Sequence, residues 1–174
     1  MKQVTKWIGI FLLLIAFERT SAQIEVTHIS FNGFSATGFG GFFNFAVPVS
    51  DADYVSGEIG LDVFSNNGNN VAIAPLLAGY RYTLDRTGTG FYLEPNAGYS
   101  FGGTDIQVVD QNGNYYDQSV SGLATGLSFG YLFPQTGIIQ FNLGVRYEHI
   151  FGQTGQNLFA LRVSHAFTFG RRQY

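Results

Sequence analysis

The chain has 174 residues, enough for one domain, with a formal charge of −3 and no cysteine. The acidic balance argues against nucleic acid as a partner, and the lack of thiols excludes both a disulfide framework and a lipid anchor on Cys. Charged residues make up only 12% against 23 Gly, 18 Phe and 10 Tyr, a balance foreign to a soluble domain, whose surface carries more charge.

Residues 1–22 begin with Lys2 and Lys6, pass through an apolar run at 7–17 and close on Thr20-Ser21-Ala22. This is the order of a secretory signal peptide, with cleavage expected after Ala22. The run is well short of the ~20 apolar residues that an anchoring helix needs. Residues 23–174 then form the mature domain, 152 residues with six Arg, no Lys and eleven acids, a formal charge of −5. No later run is long and apolar enough for a spanning helix. A membrane-embedded domain of this kind must cross as strands closed into a barrel, since lipid satisfies no open backbone group.

Turn-rich breaks divide the mature region into eight segments that alternate with period two: 24–32, 39–47, 54–65, 71–84, 90–102, 120–133, 138–151 and 157–169. The first has no single phase, because Ile24, Val26 and His28 compete with Ile29 and Phe31 for the apolar face; this predicts a bulge or a later start. The fifth sends Phe91, Leu93 and Tyr99 one way and Tyr92, Glu94, Asn96 and Ser100 the other. The sixth sends Leu123, Leu127, Phe129, Tyr131 and Phe133 outward and the small Gly122, Ala124, Gly126, Ser128 and Gly130 inward. In the seventh, Ile139, Phe141, Leu143, Val145 and Tyr147 oppose Gln140, Asn142, Gly144, Arg146 and Glu148. Such a strand has two different solvents on its faces. The fold class predicted is all-β, an eight-stranded antiparallel up-and-down transmembrane β-barrel.

With both termini on the periplasmic side, the longest break, 103–119, falls outside, and outer connections are expected to be long and inner ones short. Within it Asn112-Gly113, favoured in two-residue hairpin turns, lies between residues 106–109 and Tyr115-Tyr116. A protruding hairpin is expected, with Asp105, Asp110 and Asp117 around it.

The polar phase places Glu58, Asp62, Arg81, Glu94, Arg146, Glu148 and Arg162 in the lumen, with Arg81 opposite Glu94 at cross-strand spacing. Guanidinium forks can bridge carboxylates in a confined space. One reading is a selectivity filter or proton path. The favoured one is an ion-pair plug, because an eight-stranded barrel is only wide enough for side chains. Outward aromatics gather near the strand ends: Tyr82, Phe91, Tyr131, Phe133, Phe167 and Phe169 at one rim, Phe101 and Tyr147 at the other. Such belts belong at headgroup level.

Over residues 23–174 the chain resembles the small outer-membrane β-barrel family of Gram-negative bacteria, the OmpA-like and OmpX-like eight-stranded barrels. The segment from Arg162 through Ser164 to Phe167 and Phe169 looks like the C-terminal signal by which such barrels are recognised for insertion; Ser164 stands where Gly is usual, and Gly170 to Tyr174 extend past the final aromatic. The resemblance implies residence in the outer membrane and contact with its lipid and with the barrel-insertion machinery; because nothing follows the barrel in this sequence, the peptidoglycan-binding domain attached to some relatives is expected to be absent.

Some similar barrels are lipid A-modifying enzymes with a His and a Ser at the lipid boundary. His28 and Ser30 share a face here, but they lie in the first segment rather than late in the chain, and Glu25 falls on the opposite face. An incidental pair is favoured. His149 and His165 read as boundary residues, and three scattered histidines make no metal site. The expected role is therefore non-enzymatic, structural or surface-interaction (adhesion-like), with no cofactor, no metal and no nucleic acid, and with an extracellular protein as a possible partner for the hairpin. A narrow channel for small solutes, a lipid A-modifying barrel enzyme and a soluble lipocalin-like barrel are the alternatives.

Overall fold

The computed structural model describes residues 19–109, 115–134 and 139–168. Its strands are β1 (Arg19–Phe31), β2 (Phe34–Pro48), β3 (Asp53–Asn66), β4 (Asn69–Thr83), β5 (Gly90–Thr104), β6 (Gln107–Val109), β7 (Tyr115–Asp117), β8 (Gly122–Leu132), β9 (Ile139–Phe151) and β10 (Gln156–Thr168). All but β6 and β7 form one closed antiparallel barrel in chain order, with β10 returning to pair β1. Closure removes the free strand edges that lipid could not satisfy. The eight-stranded up-and-down barrel is thus as expected, and β6 and β7 pair as a separate hairpin between β5 and β8.

The strands run further than the breaks suggested. β2 starts at Phe34 rather than at residue 39, because Asn32 and Gly33 make a two-residue turn with φ of 39° and 79°. Asn67 and Gly68 repeat it at 52° and 84°. Two successive positive φ angles define the primed turn whose twist matches a hairpin. The expected contrast of long outer and short inner connections is corrected accordingly. At the end of the barrel distant from the termini, the links at 32–33 and 67–68 are tight, and the extra length lies between β5 and β8.

β1 is also regular, against expectation. Burial alternates without interruption from Ser21 to Phe31, and the ladder to β2 carries no bulge. Ser21, Gln23, Glu25, Thr27, Ile29 and Phe31 face the lumen; Ile24, Val26, His28 and Ser30 face out. The strand begins at Arg19, ahead of the cleavage point expected at Ala22. Two gaps in the ladders, one between the pairs Ile59–Leu76 and Asp62–Ile73, the other between Gly79–Asn96 and Tyr82–Leu93, fall at Pro75 and Pro95, which have no N–H to donate.

The outer wall is apolar all round: Ile24, Phe39, Phe43 and Leu123 are 64–71% exposed, and every barrel strand contributes comparable side chains. No soluble monomer exposes so continuous an apolar band, whereas lipid requires one. Near the chain-terminal rim Phe91, Tyr131 and Phe133 form an edge-to-face chain with centroid spacings of 5.0 Å. Tyr99 and Phe101 meet at 4.8 Å toward the other rim. The aromatic belt expected at Phe167 and Phe169 lies outside the described side chains.

Candidate functional site

The lumen is built in three layers. At mid-height is an ionic belt. Arg146 on β9 reaches four carboxylates: Glu25 (2.6 Å) on β1, Glu58 (2.7 Å) and Asp62 (3.6 Å) on β3, and its own neighbour Glu148 (3.1 Å). β3 and β9 stand four strands apart in a ring of eight, so the Arg146–Glu58 pair spans the full diameter. Arg162 on β10 completes the belt, with Nε donating to Glu25 (2.7 Å) and Nη2 to Glu58 (2.8 Å). Arg146 is 1% exposed, and Glu25, Asp62 and Glu148 are equally sealed. Hydroxyls supply further donors: Thr27 to Glu25 (2.7 Å) and Asp62 (3.1 Å), Ser100 to Glu148 (3.0 Å).

Below the belt, toward the termini, Arg81 Nε donates to Glu94 (2.6 Å), whose other oxygen accepts from Ser56. The register on either side puts the pair directly opposite on β4 and β5, as the sequence suggested. Around it Ser21, Asn44, Tyr54, Gln140, Asn142 and Ser164 enclose only about 20 Å³. That leaves room for about one water and none for a solute.

Above the belt the lumen turns apolar. Ile29, Phe31, Phe64, Val71, Ile73, Val120, Ile150 and Leu158 pack into one buried cluster, with Phe34 and Ile106 laid against it. Each such side chain contributes on the order of 1.5–3 kcal/mol when fully buried. Ile106 and Val120 belong to the two stems of the β5–β8 connection, and the Gln118 N–H bonds the Ile106 carbonyl (3.0 Å). The plug therefore anchors the root of the hairpin.

All seven residues predicted for the lumen face inward: Glu58, Asp62, Arg146, Glu148 and Arg162 form the belt, and Arg81 and Glu94 the pair below it. Glu25 was missed as a belt member, so five carboxylates rather than four meet three guanidiniums. Phe42 was missed as well. It is 2% exposed, and the Arg146 and Arg162 guanidiniums lie 4.8 and 5.3 Å from its ring centre, a cation–π arrangement. Gly60 makes space for that ring, since a Cβ there would strike Phe42 Cδ1. The signal was present in β2, where Phe42 sits in phase with Gly38 and Gly40, lumen positions left empty for a large neighbour.

The loop residues divide. Asp105 is exposed and accepts from the Asn70 backbone N–H (2.5 Å) and from Asn70 Nδ2 (2.8 Å); these bonds hold its carboxyl below the usual aspartate range. Tyr115, Tyr116 and Asp117 pair with Val109, Val108 and Gln107 in the hairpin. Asp110, Asn112 and Gly113 lie outside the described residues, as does Phe169. Of the proposed insertion signal, Arg162 is a belt member and Ser164 a lumen residue, while Phe167 pairs with Ile139.

His28 faces out beside Ser30, but its ring nitrogens are engaged by Thr37 (3.1 Å) and Ser35 (3.1 Å) rather than by that serine. Glu25 is on the lumen side, too far round the strand to orient it. His149 bonds Asn157 (2.9 Å) at the outer rim, and His165 stacks edge-on to Phe141 (5.4 Å).

No known protein family matches the sequence, and no curated protein does. Solved structures do match by shape. Neisserial surface protein A (NspA) superimposes with a TM-score of 0.63 at 16% identity over 87% of this chain and 96% of that one. Ail, the attachment invasion locus protein of Yersinia pestis, gives 0.61 at 14% identity over 87% and 99%. The N-terminal barrel domain of Pseudomonas aeruginosa OprF gives 0.50 at 15% over 84% and 97%. With its closed ring of eight antiparallel strands and apolar wall, the chain has the fold of the small outer-membrane β-barrels.

Proposed function

We propose that this chain is a non-enzymatic integral protein of the outer membrane, exported by a signal peptide cleaved after Ala22, whose barrel is a rigid support for the surface hairpin β6–β7. The observation that carries this reading is a lumen filled along its whole length, by the lower polar layer, the ionic belt and the apolar plug. A filled lumen conducts nothing. The part left to do work is the segment that leaves the barrel, and its root is bolted to the plug through Ile106 and Val120. The hairpin offers backbone edges suited to strand addition by an extracellular protein, and the sequence of this connection carries Tyr115 and Tyr116 together with Asp105, Asp110 and Asp117.

Ail, a protein of the same fold, is described as an attachment invasion locus protein and was solved with a heparin analogue, sucrose octasulfate. Adhesion is therefore a role this architecture can carry. The acidic residues around the present hairpin favour a basic or neutral partner over a sulfated one.

Deleting residues 107–117 is expected to abolish binding of cells or extracellular proteins while leaving a barrel whose gel mobility still changes on boiling. Unchanged binding would remove the hairpin from the proposal, and steady single-channel conductance of the intact protein would replace it with a channel. Unaltered lipid A mass spectra on overexpression are expected, and N-terminal sequencing should begin at Gln23.

A further inference from the structure

Over β10, β1 and β2 the outward face changes character within one step of the ladder. Leu161 and Phe159, Ile24 and Val26, and Phe43 and Phe39 belong to the apolar wall. Beyond them, toward the rim opposite the termini, the same face carries Asn157 on β10, His28 and Ser30 on β1, and Thr37 and Ser35 on β2, all exposed. The pairs His28–Thr37, Ser30–Ser35 and Ser30–Asn157 set these side chains next to one another. An apolar band that stops in this way stops where lipid tails give place to headgroups.

That level carries no permanent positive charge. From residue 19 to residue 169 the chain has no Lys, and its arginines are Arg19, Arg81, Arg86, Arg146 and Arg162. Arg81, Arg146 and Arg162 lie in the lumen, and Arg19 and Arg86 at the chain-terminal end. What can become cationic at the outer headgroup level is His28 and, on β9, His149, each only by taking a proton. His28 is arranged to hold an anion once it does. Its Nδ1 lies 3.1 Å from Thr37 Oγ1 and its Nε2 3.1 Å from Ser35 Oγ. A neutral imidazole donates from one nitrogen and accepts at the other, so one hydroxyl spends its hydrogen on the ring. A protonated ring donates from both, which frees the hydrogens of both hydroxyls. With Ser30 opposite Ser35, three hydroxyls then accompany one positive ring, the complement of a phosphate. We propose that His28, Ser30, Ser35 and Thr37 seat a phosphate of the lipid A headgroup, whose acyl chains lie against Val26 and Phe39. Asp105, the exposed acid at the same end, stands on the β5 stem three strands round from β2, so the anion is drawn to the His28 side. On the outward faces of β2 and β10 the neighbours Ser35, Thr37, Asn157 and Phe159 do not titrate. Tyr147 and His149 come next, on β9, both donating to Asn157 Oδ1 (2.8 and 2.9 Å). The contact therefore strengthens as pH falls and His28 gains its charge.

This contact requires the outer-membrane reading of the chain, and one experiment keeps the two apart. The full chain in detergent is given equal amounts of bis-phosphorylated lipid A and of the same lipid stripped of its phosphates, and retained lipid is read by native mass spectrometry. At about pH 6 the phosphorylated form is expected to be kept over the other by about fivefold, the scale of one exposed ion pair, and at about pH 8 the ratio should approach unity. His28→Gln, which hydrogen-bonds but takes no proton, should remove the preference at both pH values, whereas His149→Gln should leave it. Inorganic phosphate at the concentration of the lipid should not change the ratio, because it lacks the chains that hold to the wall. Equal retention by the parent at both pH values overturns the proposal, as does a preference that survives in His28→Gln or is lost to inorganic phosphate. Boiling-dependent mobility in the same samples reports on the barrel itself: its loss indicts the membrane reading, its persistence with unselective binding indicts only the phosphate seat.

Discussion

The ionic belt and the apolar plug occupy the same narrow lumen one layer apart, yet they hold it shut by opposite means. In the belt the groups are costly to bury singly and tolerable only together: Arg146 balances charge from β1, β3 and β9, and taking it away leaves Asp62 and Glu148 without a guanidinium and Glu25 and Glu58 sharing Arg162 alone. The plug has no such interdependence. Ile29, Ile73, Ile150 and Leu158 each bury their own surface, and the loss of one leaves the rest in contact. The belt therefore ties specific strands to one another, whereas the plug fills volume. A barrel can be sealed by the plug alone, but the belt fixes which walls face each other across it.

This contrast can be broken most severely at Arg146. Arg146→Ala is expected to cost roughly 3–5 kcal/mol, because it leaves uncompensated buried charge. Urea unfolding in lipid vesicles, followed by circular dichroism, measures this; if the variant does not insert, Glu58→Gln, which keeps the belt's shape, still reports a loss. A stability unchanged from the parent would mean the belt contributes nothing specific.

Truncating the plug comes next. Ile29→Ala should cost about 2–5 kcal/mol in the same assay, according to how far the cavity collapses. Because the belt still closes the lumen below, no conductance should appear; a current in Ile29→Ala alone would show that the plug, not the belt, is the seal. The Arg81–Glu94 pair sharpens the comparison further. It is a single charge-assisted contact at the polar end, with Arg81 12% exposed, and Arg81→Gln should cost only about 1–3 kcal/mol, the range of a hydrogen bond to a charged group or of the desolvation left when it is lost. A loss as large as that of Arg146→Ala would remove the distinction between a lone pair and the laced belt.

The smallest effect lies outside the lumen. The Asn70 amide groups hold Asp105 below the ordinary aspartate range, so the folded chain binds its proton less readily than the unfolded one. The stabilisation is present above the ordinary aspartate value and is lost as pH falls through the lower, folded value. The Asn70 amide resonance should titrate below the range of a free aspartate, and Asp105→Asn should abolish the titration.

Much of this architecture was legible because period two is a local property. In the sixth and seventh segments the inward and outward residues lie as read wherever their side chains are described, and the apolar residue on the inward face of the seventh, Ile150, comes only at its end. β1 was not legible, and the layering of the lumen explains it. Its inward side chains pass from Ser21, Gln23, Glu25 and Thr27 at the lower and belt levels to Ile29 and Phe31 at the plug, so a polar phase becomes apolar on the same face. A reading that equates inward with polar sees two competing phases in one regular strand, and Glu25 is lost with them. The tight turns are a different case. Asn32-Gly33 and Asn67-Gly68 are the dipeptide that marked residues 112–113, and the signal lay in view, masked by glycines and serines that β2 uses as wall rather than loop.

Alternation, the scarcity of charge and the lack of any long apolar run by themselves determined that this chain closes into a lipid-facing barrel, because each is a property of neighbouring residues and of the solvent they meet. Only the tertiary structure decided that Arg146 would meet Glu25 and Glu58 across 121 and 88 residues of chain and that Phe42 would lie beneath two guanidiniums. Those meetings depend on shear and closure, which set the height of each residue on the ring, and no local pattern encodes height.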